Sequence, residues 1–148
     1  MSGSAQKAWG VTGFEACTLA VHDLDEALGF YCGVLGFALH DDIEARHAQS
    51  ASVSPPSQPT MRIILQAPGT DPHIAPADRQ TIGDLMTKGV LGQRLAFTID
   101  SCAATFEYLE AAGAEVVQEP MNKPDGTRDC AFFDPSGNLL RFTQPRRK

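Results

Sequence analysis

Nowhere in the 148 residues do apolar side chains run for the roughly 18 positions that a membrane-spanning helix requires, so no spanning segment is expected. The first ten residues carry no apolar core of the kind a secretory signal uses, and a cytoplasmic address is the expectation. Cationic excess is missing as well. Twelve Lys and Arg stand against 18 Asp and Glu, a net charge of −6, which argues against nucleic acid or an anionic membrane as a partner recruited by counterion release. The one basic cluster, Arg146, Arg147 and Lys148, reads as a solvated tail. Cysteine is sparse and unpaired in spacing: Cys17, Cys32, Cys102 and Cys130 form no CxxC or CxxH, so neither a zinc knuckle nor a disulfide framework is suggested, and reduced thiols are expected. His22, His40, His47 and His73 form no i, i+4 pair and no cluster with carboxylates, although a metal needs three or four convergent donors.

What the chain does contain is enough apolar residue, 43%, to bury roughly two-thirds of its unfolded surface in a single domain spanning 1–148. It also contains a repeat. The order short apolar strand, polar cap, amphipathic helix, glycine, strand occurs twice, beginning near Phe14 and near Gly92. In the first copy residues 17–21 alternate as a strand, and Leu24, Ala27, Leu28, Tyr31, Val34 and Leu35 recur at helical spacing before Gly36. In the second, 95–99 is the strand, and Cys102, Thr105, Phe106, Leu109 and Ala112 form the helical stripe before Gly113. Val21 corresponds to Ile99 at an offset of 78 and Gly36 to Gly113 at 77, so the copies keep register with one residue dropped.

Further strands are predicted at 37–43, 48–53 and 61–66, then at 115–118, 128–133 and 139–143, so each copy reads βαβββ. Between the last two strands Asp134, Pro135, Ser136, Gly137 and Asn138 form a hairpin turn, while the corresponding loop of the first copy holds Pro55, Pro56 and Pro59 and is irregular. The modules therefore occupy 14–68 and 92–145, joined by a linker at 69–91 with a helix over 77–88.

The segments TLAVHDLDEALGFYCGVLGF (Thr18 to Phe37), LAFTID (Leu95 to Asp100) and RDCAFFDPSGNLLRF (Arg128 to Phe142), in this repeated order, resemble the vicinal oxygen chelate superfamily of glyoxalases, bleomycin resistance proteins and dioxygenases. The resemblance spans Phe14 to Gln144 and implies an α+β fold in which two βαβββ modules form curved mixed sheets around a shared cavity. In metal-dependent relatives a divalent ion is held by His or Gln on each first strand and Glu on each last strand. Those positions fall here on Ala16, Arg94, Ile64 and Arg141, at the same offsets of 78 and 77. Ala and Ile have no donor atom, and a guanidinium has no lone pair to give and repels a cation. The expectation is therefore no metal cofactor, and a homodimer, as is common among the relatives, that binds a small organic molecule, apolar or anionic. The alternative is a lyase, isomerase or dioxygenase-type enzyme of the same superfamily.

Arg94 and Arg141 are candidate ligand contacts, either binding an anion through charge-assisted hydrogen bonds or pairing with Glu15, Glu119 or another carboxylate. Ala16 and Ile64 would line the same cavity. Strand alternation places Arg128, Cys130 and Phe132 on one face and Asp129, Ala131 and Phe133 on the other; Arg128 is taken as a secondary ligand contact. Cys17 is expected in the core, and Cys130 has no neighbouring His or Lys to activate it.

Overall fold

The computed structural model describes residues 8–40, 50–68 and 71–146. The first sheet contains β1 (Ala16–Ala20), β2 (Ala38–His40), β3 (Ser50–Ser54) and β4 (Arg62–Gln66), in the spatial order β1-β4-β3-β2. The second contains β5 (Arg94–Thr98), β6 (Glu115–Asn122), β7 (Arg128–Phe133) and β8 (Leu139–Gln144), in the equivalent order β5-β8-β7-β6. In both, the first strand lies parallel to the last and the remaining pairs are antiparallel. Ala16 stands opposite Arg62 and Arg94 opposite Leu139, so the repeat offset holds in the pairing register itself.

The helices start and stop at matching places. Asp23 caps α1 (Leu24–Leu28) by accepting from the Glu26 N–H at 2.8 Å. One repeat later Ser101 caps α3 (Cys102–Ala111) by accepting from the Ala104 N–H at 3.1 Å. Gly36 and Gly113 follow with φ of 73° and 86°, a left-handed conformation that closes a helix and that only glycine adopts without strain. After Leu28 the first helix widens into a π-helical stretch, Gly29–Val34, and the Leu35 N–H reaches back to the Phe30 carbonyl at 2.9 Å. Phe30 and Tyr31, three and four positions after the buried Ala27, are both in the core.

Alternation along the strands builds one core shared by the two modules. Leu19, Ile63, Leu65 and Val53 of the first sheet and Phe132, Leu140 and Phe142 of the second belong to the same buried cluster as Tyr31, Cys102 and Leu109 from the helical segments. The other face of each sheet lies outside this cluster. The linker carries α2 (Pro76–Thr87), with Pro76 at its first turn, where no N–H is needed, and Met86 buried.

Two sequence expectations shift. β6 runs to Asn122 instead of ending at 118, because it is an edge strand: bulges near Val116, Gln118 and Met121 and an edge position let it accommodate Pro120. The expected strand ends at 41–43 and 48–49, and His47, lie outside the described residues.

Candidate functional site

Arg94 and Arg141 share the helix-free face of the second sheet. Ala96 is the register partner of Arg141 and Leu139 that of Arg94, which makes the two arginines diagonal neighbours on β5 and β8. Ala131 stands opposite Arg141 on β7, so that face also carries Asp129. The Arg141 guanidinium donates through Nη1 to Gln118 Oε1 at 2.9 Å and lies 3.3 Å from Asp129 Oδ2. Gln118 Nε2 donates to Asp129 Oδ1 at 2.7 Å, and Lys123 Nζ is 3.7 Å from the same carboxylate. The Asp129 side chain is only 6% exposed and the Arg141 side chain 35%, so the acid is buried beneath a cation that still reaches solvent. Arg94 is exposed, and among the described residues no hydrogen bond or ion pair engages its side chain.

Asp129 is the residue the sequence reading missed. Alternation had already put it on the face opposite Arg128, and choosing that face as the inner one would have found it. Arg128 is accordingly corrected: it lies on the face opposite Arg141, at the start of β7, and its Nη1 donates to Asn122 Oδ1 at 3.1 Å. The carboxylate partner of Arg141 is neither Glu15 nor Glu119.

On the first sheet, Ala16 and Ile64 occupy the equivalent helix-free face with Thr18, Arg62 and Ser52. Arg62 Nε donates to Ser52 Oγ at 3.0 Å, and His40 Nε2 lies 2.7 Å from Ser54 Oγ. The second pair has the distance of a base and its nucleophile, but Ser54 is fully buried and also lies 3.4 Å from the Pro59 carbonyl, so no substrate atom reaches the hydroxyl. Arg62 was also missed; it sits two residues before Ile64, hence on the same side of β4.

The thiols do not supply an alternative. Cys17 packs against the core. Cys130 is fully buried beside Cys102, and its pKa is pushed up to about 12, first by burial and then by that neighbouring thiol, which keeps it protonated and inert. Among the described residues no group of three or more His, Cys, Asp or Glu converges as a metal site would. His22 is exposed with its ring 3.5 Å from the Thr87 hydroxyl, and His73 is exposed in the linker. The side chains at the four positions where relatives place metal ligands do not fit a divalent ion: two lack donor atoms and two are cations.

The Asp129 cluster makes a stability prediction. Arg141→Met should destabilise the fold by about 1–3 kcal/mol, the cost of stripping one partner from a buried charge that keeps its other hydrogen bonds. Gln118 and Lys123 still hold Asp129, which keeps the loss below that of an orphaned ion. Adding Asp129→Asn should recover part of the loss in urea melts. A double mutant no more stable than Arg141→Met would show that the charge pair is unimportant.

The family model for the Glyoxalase/Bleomycin resistance protein/Dioxygenase superfamily matches residues 13–142. The chain belongs to this superfamily. Among solved structures of the fold, that of UcmS2 is 29% identical with a TM-score of 0.82, covering 92% of this chain and 100% of that one. TnmS3, an antibiotic binding protein from Streptomyces sp. CB03234, is 25% identical with a TM-score of 0.69, covering 95% and 99%. A glyoxalase/bleomycin resistance protein from the same Streptomyces is 25% identical with a TM-score of 0.62, covering 87% and 97%. Among curated proteins, none matches the chain. No helix of the described residues is long and apolar enough to cross a membrane.

Proposed function

We propose that this superfamily member is a binding protein that holds a small organic anion against Arg94 and Arg141 without a metal ion, and that a second copy of the chain covers the site. One observation carries the reading: an exposed guanidinium, Arg94, lies beside a second guanidinium that a buried carboxylate keeps in place, on the sheet face and at the strand positions where relatives place metal ligands. A preformed pair of cations recognises a carboxylate or a phenolate-like oxygen through charge-assisted hydrogen bonds. Asp129 neutralises part of the Arg141 charge, which leaves Arg94 as the dominant contact and Arg141 as the fixed second one. Ala16 and Ile64 would offer apolar contact from the first sheet, as would Ala96 from the second.

The similarity to TnmS3 supports a small organic ligand, since that protein binds an antibiotic. The second copy is supported by exposure: Arg94, Ala96 and Thr98 of β5 and Thr18 of β1 are open on faces that no helix of the described residues covers. A cytoplasmic location remains part of the proposal, as does the absence of a nucleic-acid partner.

Calorimetric titration with 1-hydroxy-2-naphthoate, an aromatic carboxylate, tests the reading. Binding is expected, and Arg94→Ala should weaken it about 10- to 150-fold, the equivalent of about 1.5–3 kcal/mol for a hydrogen bond to a charged group. The melting temperature should stay the same, because nothing in the fold depends on Arg94. Affinity unchanged in Arg94→Ala would overturn the anion site. Elemental analysis of protein purified without chelator should find no stoichiometric Zn, Ni, Mn or Fe; one ion per chain would favour the enzyme reading. Light scattering that reports a monomer would remove the second copy.

A further inference from the structure

The two module junctions are related by the repeat, yet one is sealed and the other is open. At the sealed junction the β7–β8 turn seats against the free edge of β1: Asn138 Nδ2 donates to the Ala20 carbonyl at 3.0 Å, the His22 N–H donates to Ser136 Oγ at 2.9 Å, and the Tyr31 hydroxyl donates to Asp134 at 2.7 Å. The strand registers assign the equivalents at the other junction. Pro55 corresponds to Asp134, Met61 to Asn138 and Thr98 to Ala20, and the matching helix-end bonds, Phe37 N–H to the Tyr31 carbonyl and Ala114 N–H to the Leu109 carbonyl, pair Leu109 with Tyr31.

Each substitution removes a bond. Pro55 has no side-chain acceptor and Leu109 no hydroxyl to donate, while the neighbouring Tyr108, 55% exposed, donates its hydroxyl to the Val34 carbonyl at 2.6 Å. Met61 has no amide to reach the Thr98 carbonyl. In place of the plug is a cleft of about 520 Å³ between the edge of β5, the outer face of α3 and the β3–β4 loop. Phe37, Phe97 and Phe142 form its apolar wall, with ring centroids 5.5 and 5.7 Å apart along the row, and Tyr108, Gln58 and Ala104 stand around it. Among the described residues no charged side chain lines it.

The floor of the cleft also carries hydrogen-bonding groups. The Ile99 N–H donates to the Thr143 carbonyl, so alternation turns Leu95 and Phe97 toward β8 and turns the N–H and C=O of Ala96 and Thr98 outward. β5 pairs with β8 alone, which leaves those groups as an open strand edge beside the phenylalanine row.

We propose that this cleft is a second ligand site, distinct from the Arg94–Arg141 face, for a small, uncharged, planar molecule that presents an amide-like donor and acceptor. The volume lies in the range of small-molecule pockets. The aromatic wall suits a flat ring, and a lining of described residues without charge favours an uncharged occupant. The outward N–H and C=O of one strand residue match the paired acceptor and donor of a lactam. Asp134 and Asn138 seal one junction while Pro55 and Met61 leave the other open, so the opening is a property of the sequence at these positions.

Quinolin-2(1H)-one, an uncharged planar lactam, is the probe. Titrated into ¹⁵N-labelled protein, it should shift the amides of Ala96, Thr98, Ala104 and Tyr108, with a dissociation constant on the order of a millimolar for a ligand of that size. Ala104→Trp, an exposed helix position facing the cleft, should fill the space and weaken binding by about tenfold or more. Thr105→Phe is the second filling variant should the first fail to fold. Quinoline-2-carboxylate should leave the amides of Ala104 and Tyr108 unmoved, and Arg94→Ala should bind the lactam as the unaltered protein does, which separates this site from the anion site. Amides that do not shift, or shifts that persist in both filling variants, would overturn the proposal; so would an equal response to the carboxylate.

Discussion

Asp134→Ala should cost the fold about 3–5 kcal/mol, because it removes an acceptor on which four donors converge in a site that water does not reach. Asp134 is 4% exposed. Its Oδ1 accepts from the backbone N–H groups of Ser136 and Asn138 at 2.8 and 2.9 Å, and its Oδ2 from the Tyr31 hydroxyl at 2.7 Å and Asn138 Nδ2 at 2.8 Å. With alanine there, the Tyr31 hydroxyl is stranded among buried side chains, Asn138 Nδ2 keeps only the Ala20 carbonyl, and the turn that carries Asn138 there loses its scaffold. Tyr31→Phe should cost less, about 1–2 kcal/mol, since the remaining three donors still satisfy the carboxylate. The tyrosine also sets a pH limit. Burial, then the Asp134 charge and the hydrogen bond to it, hold the Tyr31 hydroxyl far above its ordinary value. A raised folded-state pKa means that this contribution is complete below the unfolded value of about 10 and is lost as pH climbs above it. Denaturant melts from pH 7 to 11 should show that alkaline decline in the unaltered protein and a shallower one in Tyr31→Phe. A loss below about 1 kcal/mol in Asp134→Ala would mean that the network is not what joins the modules.

Gly92→Ala should be nearly as damaging, by steric means. A Cβ at residue 92 would sit 2.0 Å from the Gly137 carbonyl oxygen and 2.8 Å from its carbon, and both are backbone atoms that cannot swing aside. Gly137 itself is fixed by a φ of 85° and by the close approach of the Met86 carbonyl, so the turn has nowhere to retreat. The adjoining bonds, Gln93 N–H to Asn138 Oδ1 at 2.9 Å and Leu139 N–H to the Gln93 carbonyl at 2.8 Å, would have to stretch together. The expected loss is about 3 kcal/mol, at the upper end for overpacking because no flexible side chain absorbs the clash. Gly83→Ala is the control: its Cβ meets nothing within 4 Å, it lies in α2, and the substitution should be neutral or slightly stabilising. If both variants melt like the unaltered protein, the contact between the linker's end and the β7–β8 turn is looser than the backbone distances imply.

Much of the architecture was already present in one dimension. Apolar periodicity and the paired glycines at 36 and 113 marked two βαβββ copies, and the offsets of 78 and 77 are the same ones that the strand registers realise. The family resemblance placed the relatives' metal-ligand positions on Ala16, Ile64, Arg94 and Arg141, in agreement with those offsets, and that two of these side chains lack a donor atom and two are cations is a property of the residue type alone. Three-dimensional packing decided the rest. Alternation on β7 offered two faces without saying which belonged with Arg141, and packing put Asp129 on that face and Arg128 on the other; a strand's period of two fixes sides only relative to one another. Edge position, invisible in the sequence, allowed β6 to run through Pro120. The difference between the two junctions is of the same kind: Asp134 reads as an ordinary turn residue until folding brings Tyr31, 103 positions away, within 2.7 Å of it. A side chain's type is written in the chain, but the partner that satisfies it is chosen only when burial removes water as the alternative.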